Sequence, residues 1–258
     1  MNLSLLTHNT LFNNAIDKLD EVIDVHRPDI VCLQEALTDD NSIKKIENLG
    51  YKVADYSNSF VKFGKIFGVI TFYNPNVLDY KDSFSFDMDS NFGEKFFYLF
   101  QVIFGCNKPK TILATDFIHK STRKKISICN VHLYVIGSNE QRIRHINNAL
   151  KSIYLSKKEP LIIVGDFNYF PYKRRGLEKM MAKHGLNEAT ANIRQTIRFT
   201  KDGKFERFSL FQRLSLLFIN KFDIKTDYSF YRGLKLIKTE RIDSRTSDHY
   251  PIISSFKI

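Results

Sequence analysis

The chain predicts an α/β fold in which two mixed β-sheets pack face to face with helices outside. Three observations carry this. Apolar runs of strand length recur in both halves, stripes of helical spacing follow the early strands, and several neighbouring strand-like runs have no helix between them. At 258 residues the chain can bury a substantial core. No repeat, low-complexity tract or linker divides it, so a single domain over 1–258 is expected.

Alternation in Leu3-Ser-Leu-Leu-Thr7 gives a first strand. Ala15, Ile16, Leu19, Val22, Ile23 and His26 share a helical face that Pro28 ends. Ile30–Leu33 is a buried strand ending at Gln34-Glu35. A second helix carries Ile43, Ile46 and Leu49, with Gly50 as its cap. Strands are expected at Tyr51–Tyr56, Ile66–Tyr73, Thr111–His119 and Ile126–His132. A helix with Ile143, Ile146, Leu150 and Ile153 begins near Glu140. The strand Leu161–Val164 follows, then a helix with Leu177, Met180 and Met181 that stops at Gly185. The last third returns to strands at Asp223–Tyr231, Leu234–Arg241 and Ile252–Lys257.

Lys and Arg number 39 against 28 Asp and Glu, a net charge of +11. A field of that sign favours polyanionic partners, among them nucleic acid, anionic membrane and phosphorylated small molecules. The three cysteines have no C-x-x-C spacing, which argues against a disulfide framework or zinc site. Cys32 and Cys129 lie in strand-like runs as buried thiols and Cys106 in a loop. A reducing, cytoplasmic or otherwise intracellular compartment is the expectation, with secretion after loss of a leader as the alternative. No run is long and apolar enough to span a membrane.

The chemistry lies at predicted strand ends. Leu161–Val164 runs into Gly165-Asp166-Phe167-Asn168, and Ser247-Asp248-His249-Tyr250-Pro251 follows much later. With Asn9, Glu35 and His132, these residues make an oxygen-rich set beside two histidines. Hydrolysis of a phosphodiester needs a cation on the anionic oxygens, a base to activate water and an aligned attack. Mg²⁺ takes hard oxygen ligands; Glu35 and Asn9 are of that type, and Asp166, Asn168 and Asp248 bring further oxygen ligands and hydrogen-bonding groups. A carboxylate that fixes the tautomer of a basic histidine is also needed, and Asp227 is the candidate for His249. Each residue alone has a plain structural explanation: a turn cap for Asn9, an Asx-turn for Asp166 and Asn168, a satisfied core histidine for His132. Their joint occurrence at the ends of separate strands does not.

The ordered set Asn9, Gln34-Glu35, Asn130-x-His132, Gly165-Asp-Phe-Asn168, Asp227-Tyr228 and Ser247-Asp-His249 resembles the endonuclease/exonuclease/phosphatase superfamily, which includes deoxyribonuclease I. The resemblance spans nearly the whole chain. It implies a four-layer α/β sandwich with a Mg²⁺ site (Mn²⁺ as substitute) at one sheet edge. It implies Glu35 as main metal carboxylate, with Asn9 and Asp248 close by. Asp166 and Asn168 would orient water and phosphate, His249 and Asp227 would form the base dyad, and His132 would stabilise the phosphate or assist the leaving group. The acidic partner of His132 is not located by the motifs.

Substrate choice lies in loops. Thr7-His8-Asn9 and Ser247–Pro251 resemble sphingomyelinase-like members, and the aromatic-basic segments 92–105 and 205–222 would suit peripheral membrane contact. A phospholipid headgroup is therefore favoured narrowly. A nuclease acting on DNA or RNA is the alternative, with Lys173-Arg174-Arg175 holding flanking phosphates, although Leu11 stands where repair endonucleases carry an acid. Arg123-Lys-Lys125 is expected in a turn. Without tryptophan, an inositol phosphate or phosphoinositide phosphatase ranks third, and an inactive binding scaffold is the non-enzyme alternative. Oligomeric state is not encoded in any of these features.

Overall fold

Two parallel strand pairs, one in each of two sheets, point their C-terminal ends at the same place. The computed structural model describes residues 1–86, 111–134, 137–153, 159–169, 174–198 and 222–258. The first sheet contains β1 (Asn2–Asn9), β2 (Ile30–Leu37), β3 (Lys52–Lys62), β4 (Lys65–Tyr73), β11 (Lys235–Arg241) and β12 (Ile252–Lys257). Its order is β11-β12-β1-β2-β4-β3. The second contains β5 (Leu78–Ser85), β6 (Thr111–His119), β7 (Lys125–His132), β8 (Leu161–Asp166), β9 (Asn187–Glu188) and β10 (Asp227–Arg232), in the order β5-β6-β7-β8-β10-β9.

Only β1–β2 and β7–β8 are parallel among the paired strands. Each parallel step needs a crossover. A 3₁₀ turn at Ile16–Lys18 and helix α1 (Leu19–His26) supply the first, and α3 (Asn139–Ser152) supplies the second. Arg27, left-handed at φ 45°, and Pro28 end α1. Ser138 and Gln141 close a capping box at the start of α3.

Period-two alternation divides the apolar side chains between layers. Leu5, Ile30 and Cys32 face the second sheet and meet Phe117, Ile128, Ile162 and Val164. Leu6, Val31 and Leu33 face outward and are covered by Leu19, Val22, Ile43 and Ile46 of α1 and α2 (Asp40–Glu47). On the far side, Ile146 and Leu150 of α3 with Leu177 and Met181 of α4 (Arg174–Lys183) cover Cys129, Val131, Ile163 and Phe230. The layers are helix, sheet, sheet, helix, as the sequence predicts.

Several boundaries differ. β3 runs to Lys62 and joins β4 in a tight hairpin. β5 was not expected: its Leu-Asp-Tyr-Lys-Asp-Ser-Phe-Ser is polar because it is a half-exposed edge strand. The expected strand from Asp223 begins at Asp227. Asn48, not Gly50, caps α2; Gly50, at φ 92°, closes the turn that follows. Segment 92–105, Cys106 and residues 205–221 lie outside the described residues; Phe222 is exposed. Among the described residues no helix is long and apolar enough to cross a membrane.

Candidate active site

The register that aligns the two parallel pairs also assembles the site. Asn9 lies beside Gln34 at the ends of β1 and β2, and His132 lies beside Asp166 at the ends of β7 and β8. Antiparallel β10 starts there, with Asp227 opposite Asp166. Ser247-Asp248-His249 arrives just before β12, where Ser247 Oγ donates to the Asn9 carbonyl at 2.8 Å.

Local backbone distortions aim these side chains. The β2–β4 register shifts between Leu33 and Ala36, and Glu35 within that bulge has φ 50°. A bulge re-aims a side chain out of the strand's alternation, here turning the Glu35 carboxylate to Asn9 and His132. Gly165 has φ 131°, and a Cβ on it would lie 2.1 Å from the Val131 carbonyl oxygen. That close approach of β8 to β7 is why glycine precedes Asp166. Asp166 Oδ1 then accepts from the Asn168 amide at 2.8 Å, the Asx-turn, while Asn168 Nδ2 donates to the Leu133 carbonyl at 3.0 Å.

After Asn9 the chain turns through Leu11, Phe12 and Asn13, all left-handed at φ 47°, 54° and 67°. Each such residue costs roughly 1–2 kcal/mol outside glycine. Hydrogen bonds offset this: Asn9 Oδ1 accepts from the Leu11 amide at 3.1 Å, the Glu35 carbonyl from Asn13 N at 3.0 Å, and Asn13 Oδ1 from Leu37 N at 3.1 Å. The strain fixes Asn9 and places the Phe12 ring 6.0 Å from Phe60, whose own ring lies 6.5 Å from His132.

Asn9 Nδ2 sits between two carboxylates, 3.0 Å from Asp166 Oδ2 and 3.4 Å from Glu35 Oε1. His132 Nε2 lies 3.6 Å from Glu35 Oε1 and 3.9 Å from Asp166 Oδ2, so among the described residues two carboxylates of the site itself approach this histidine. His249 Nδ1 is 2.8 Å from Asp227 Oδ2, which also accepts from Thr226 Oγ1 at 3.0 Å. His249 Nε2 faces Asp166 Oδ2 at 3.8 Å and Asp248 Oδ1 at 4.0 Å. All eight sequence-predicted site residues therefore lie along this one sheet edge.

The electrostatics follow from crowding acids in a buried place. Burial alone would lower His249, but Asp227 and Asp166 outweigh it and push the imidazole up to about 10. Burial, with Asp227 adding to it, raises Asp166 to about 7 despite the opposing pull of His249. The His249 shift reflects the acids around it, whereas that of Asp166 reflects burial first, with Asp227 adding to it. Donor atoms of Asp166, Asp227 and His249 lie within 4.8 Å of one another. Because Nδ1 and Asp227 are joined by a proton, that trio acts first as a hydrogen-bonded dyad with a neighbouring acid. Glu35, Asn9 and Asp248 carry oxygens of the hard type that Mg²⁺ takes, with Asn9 Oδ1 accepting from the Leu11 amide while its Nδ2 faces Asp166 and Glu35.

Sequence reasoning missed the supports. His8 is fully enclosed and its Nε2 donates to the His249 carbonyl at 3.2 Å. Thr196 Oγ1 accepts from the amides of Thr226 and Asp227, while Tyr250 N donates to the Thr196 carbonyl. Neither is marked by a motif; the strand-end position of His8, next to Asn9, was the available signal. Of Lys173-Arg174-Arg175, expected to hold flanking phosphates, Lys173 lies outside the described residues, Arg175 is exposed and Arg174 is engaged elsewhere. Its guanidinium is spent on Glu188 at 2.9 Å and Glu178 at 2.9 Å, and Lys225 pairs with Glu188 as well. Arg123 and Lys125 occupy the β6–β7 turn region as expected, near Asp79 and Asp116.

Comparison with known proteins finds the same fold. Human Nocturnin's catalytic domain, solved with bound sulfate, superposes with a TM-score of 0.72 over 99% of this chain and 94% of that one, at 18% identity. Zebrafish TDP2 complexed with single-strand DNA product gives 0.65 over 100% and 99%, at 13% identity. A mannosyl-6-phosphatase of Bacteroides thetaiotaomicron gives 0.66 over 99% and 100%, at 15%. Among curated sequences, UPF0294 proteins of Vibrio campbellii and Vibrio cholerae are 26% and 33% identical over 153 residues, 58% of this chain and 46% of theirs. The chain thus spans about half the length of the curated relatives it matches. The model of the Endonuclease/Exonuclease/phosphatase family matches residues 6–249, and the chain belongs to that family.

Proposed function

We propose that the protein is a divalent-metal-dependent phosphodiesterase that directs water in line at phosphorus, with a phospholipid headgroup diester as substrate. The observation that carries the hydrolase reading is the His249–Asp227 pair at 2.8 Å, set against Asp166 and Asp248 at the sheet edge. Asp227 holds the Nδ1 proton, which leaves Nε2 as the face that exchanges a proton with water. Asp166 and Asn168 orient water and phosphate. His132, between Glu35 and Asp166, faces the phosphoryl oxygens or the leaving group. A bound Mg²⁺, held by Glu35 with Asn9 and Asp248, would neutralise the phosphate oxygens and draw His249 down from its metal-free value.

The lipid reading is supported by the commitment of Arg174 to two glutamates, which engages one of the three basic residues named for nucleic-acid phosphates. The local likeness of Thr7-His8-Asn9 and Ser247–Pro251 to sphingomyelinase-like members supports it as well. A nuclease is the second reading, favoured by the net charge of +11 and by the TDP2 relative solved with single-strand DNA product.

The test is a substrate panel with Mg²⁺ or Mn²⁺: bis(4-nitrophenyl) phosphate, sphingomyelin vesicles, phosphoinositides, single- and double-stranded DNA, and RNA. Turnover of the soluble diester and of vesicles, lowered by about a hundredfold or more in His249→Ala, is the expected result. Nucleic-acid cleavage with vesicles untouched overturns the lipid reading; no turnover of any ester overturns the hydrolase.

A further inference from the structure

The β3–β4 hairpin ends in Val61-Lys62-Phe63-Gly64-Lys65-Ile66. Lys62 and Lys65 are the last paired residues, and the two turn residues between them have φ 54° and 70°. That is the type I′ turn, which favours Asn-Gly because both central residues are left-handed. Phenylalanine is a poor occupant, since a bulky side chain at positive φ is strained. Here the strained ring is also 66% exposed, with Val61 at 66% and Ile66 at 49%. Single exposed apolar residues need no explanation. Three of them within six positions, on a turn whose sequence works against its own geometry, do.

The hairpin's own sequence is basic. Lys65 is exposed, and Lys62 Nζ lies 4.2 Å from the Phe12 ring centre and 5.3 Å from that of Phe63. No acidic residue occurs between Asp55 and Asp79. The tip also lies on the catalytic side of the molecule. The β2–β4 pairing ends at Leu37 and Phe67, so the hairpin continues past the end of β2 that carries Glu35. Phe12, which follows Asn9, stands edge-on to Phe60, Phe63 and Phe67 and joins the tip to the site.

We propose that Val61–Ile66 is an interfacial docking element that inserts Val61, Phe63 and Ile66 into an anionic phospholipid surface and holds the catalytic edge against the headgroup layer. Apolar side chains interleaved with Lys62 and Lys65 suit that boundary, where apolar groups enter the acyl edge and ammonium groups stay with the phosphates. Nucleic acid is the poorer fit. Val61 and Ile66 have no ring on which a base can stack, and Lys62 and Phe12 already occupy parts of the Phe63 ring. A stable protein partner needs roughly 800 Å² per side, far more than three side chains offer. The proposal rests on the lipid reading of the site for its substrate, but docking is measured without turnover.

The experiment uses the full chain. Wild type, the triple variant Val61→Ser/Phe63→Ser/Ile66→Ser and the single variant Phe63→Asn are sedimented with phosphatidylcholine vesicles, with and without phosphatidylserine. Ile237→Ser, which removes an exposed apolar residue on β11, is the control. Binding that strengthens with phosphatidylserine, falls by about tenfold or more in the triple variant and is retained by the control is expected. Phe63→Asn restores the favoured turn pair, so it should lower vesicle binding while its melting temperature stays equal or rises. That combination separates docking from a folding role even if the triple variant fails to fold. Wild type that ignores vesicles, variants that bind them as wild type does, or a loss confined to single-stranded oligonucleotide binding overturns the proposal. Turnover of bis(4-nitrophenyl) phosphate is followed in parallel. A vesicle-binding protein without it sinks the hydrolase and leaves the docking surface standing; an active protein indifferent to vesicles does the reverse.

Discussion

Gln34 Nε2 of the first sheet donates to Asn130 Oδ1 of the second at 2.7 Å. Asn130 returns the bond, giving its own amide to the carbonyls of Leu33 at 3.1 Å and Ile70 at 2.9 Å. This buried exchange fixes the spacing of the sheets two residues below His132 and beside Glu35. Removing it strands polar groups in a dry core. Asn130→Ala should therefore lower unfolding stability by about 3 kcal/mol, read from urea denaturation. A loss no larger than that of an average surface substitution would mean the clamp does not hold the sheets.

The dyad makes a second prediction. Asp227→Asn keeps the volume of the side chain but no longer holds the Nδ1 proton of His249. Turnover of a soluble phosphodiester should fall by roughly 10²–10⁴ with little change in melting temperature. The same variant probes pH in metal-free protein. Because the folded value of His249 is raised to about 10, the stability it contributes is complete below its unfolded value near 6.5. That contribution is lost as pH rises through about 10. Asp227→Asn should flatten this alkaline loss; parallel stability curves for the two proteins would refute the coupling.

What could be read from the chain beforehand were features set by short range. Leu5 and Leu6 alternate between two cores, Pro28 stops α1, and Gly165 precedes an acid at a strand end. Those follow from sterics within a few residues. β5 was missed because an exposed edge strand has no apolar pattern to betray it. Arg174 has one partner, Glu178, a helical turn away, but its other partner Glu188 lies fourteen residues on, across a turn no local rule describes. The hairpin tip was missed for a similar reason. Phe63-Gly64 is not a turn pair that propensity recognises, and its left-handed geometry is imposed by the strands around it. The eight candidate residues could be named as a set because each carries a polar group near a strand end, whereas the side chains of His8 and Thr196 bond main-chain atoms and display no chemistry that a motif could carry.

Metal binding should be visible in stability. A cation that binds only the folded chain raises its melting temperature with concentration. Mg²⁺ or Mn²⁺ added to chelator-treated protein should do so, and Glu35→Gln should abolish most of the rise by removing the main carboxylate. Equal shifts in both proteins would move the ion away from Glu35, toward the Asp166, Asp227 and His249 trio.

The last prediction concerns His8. Its burial lowers the imidazole from 6.5 to about 4, and its Nε2–H is committed to the His249 carbonyl. A depressed folded value means that the contribution to stability is present above about 6.5 and is lost as pH falls through about 4. The size is on the order of 3 kcal/mol if the group fully charges on unfolding. Glutamine can donate the same hydrogen bond without titrating. His8→Gln should therefore keep near-wild-type activity at neutral pH and lose less stability between pH 6.5 and 4 than wild type does. Carboxylates titrate in the same range, so the informative quantity is the difference between the two proteins, followed by chemical denaturation across pH. If that difference is flat, His8 is already charged or exposed in the folded state, and its hold on the catalytic loop is not the one described.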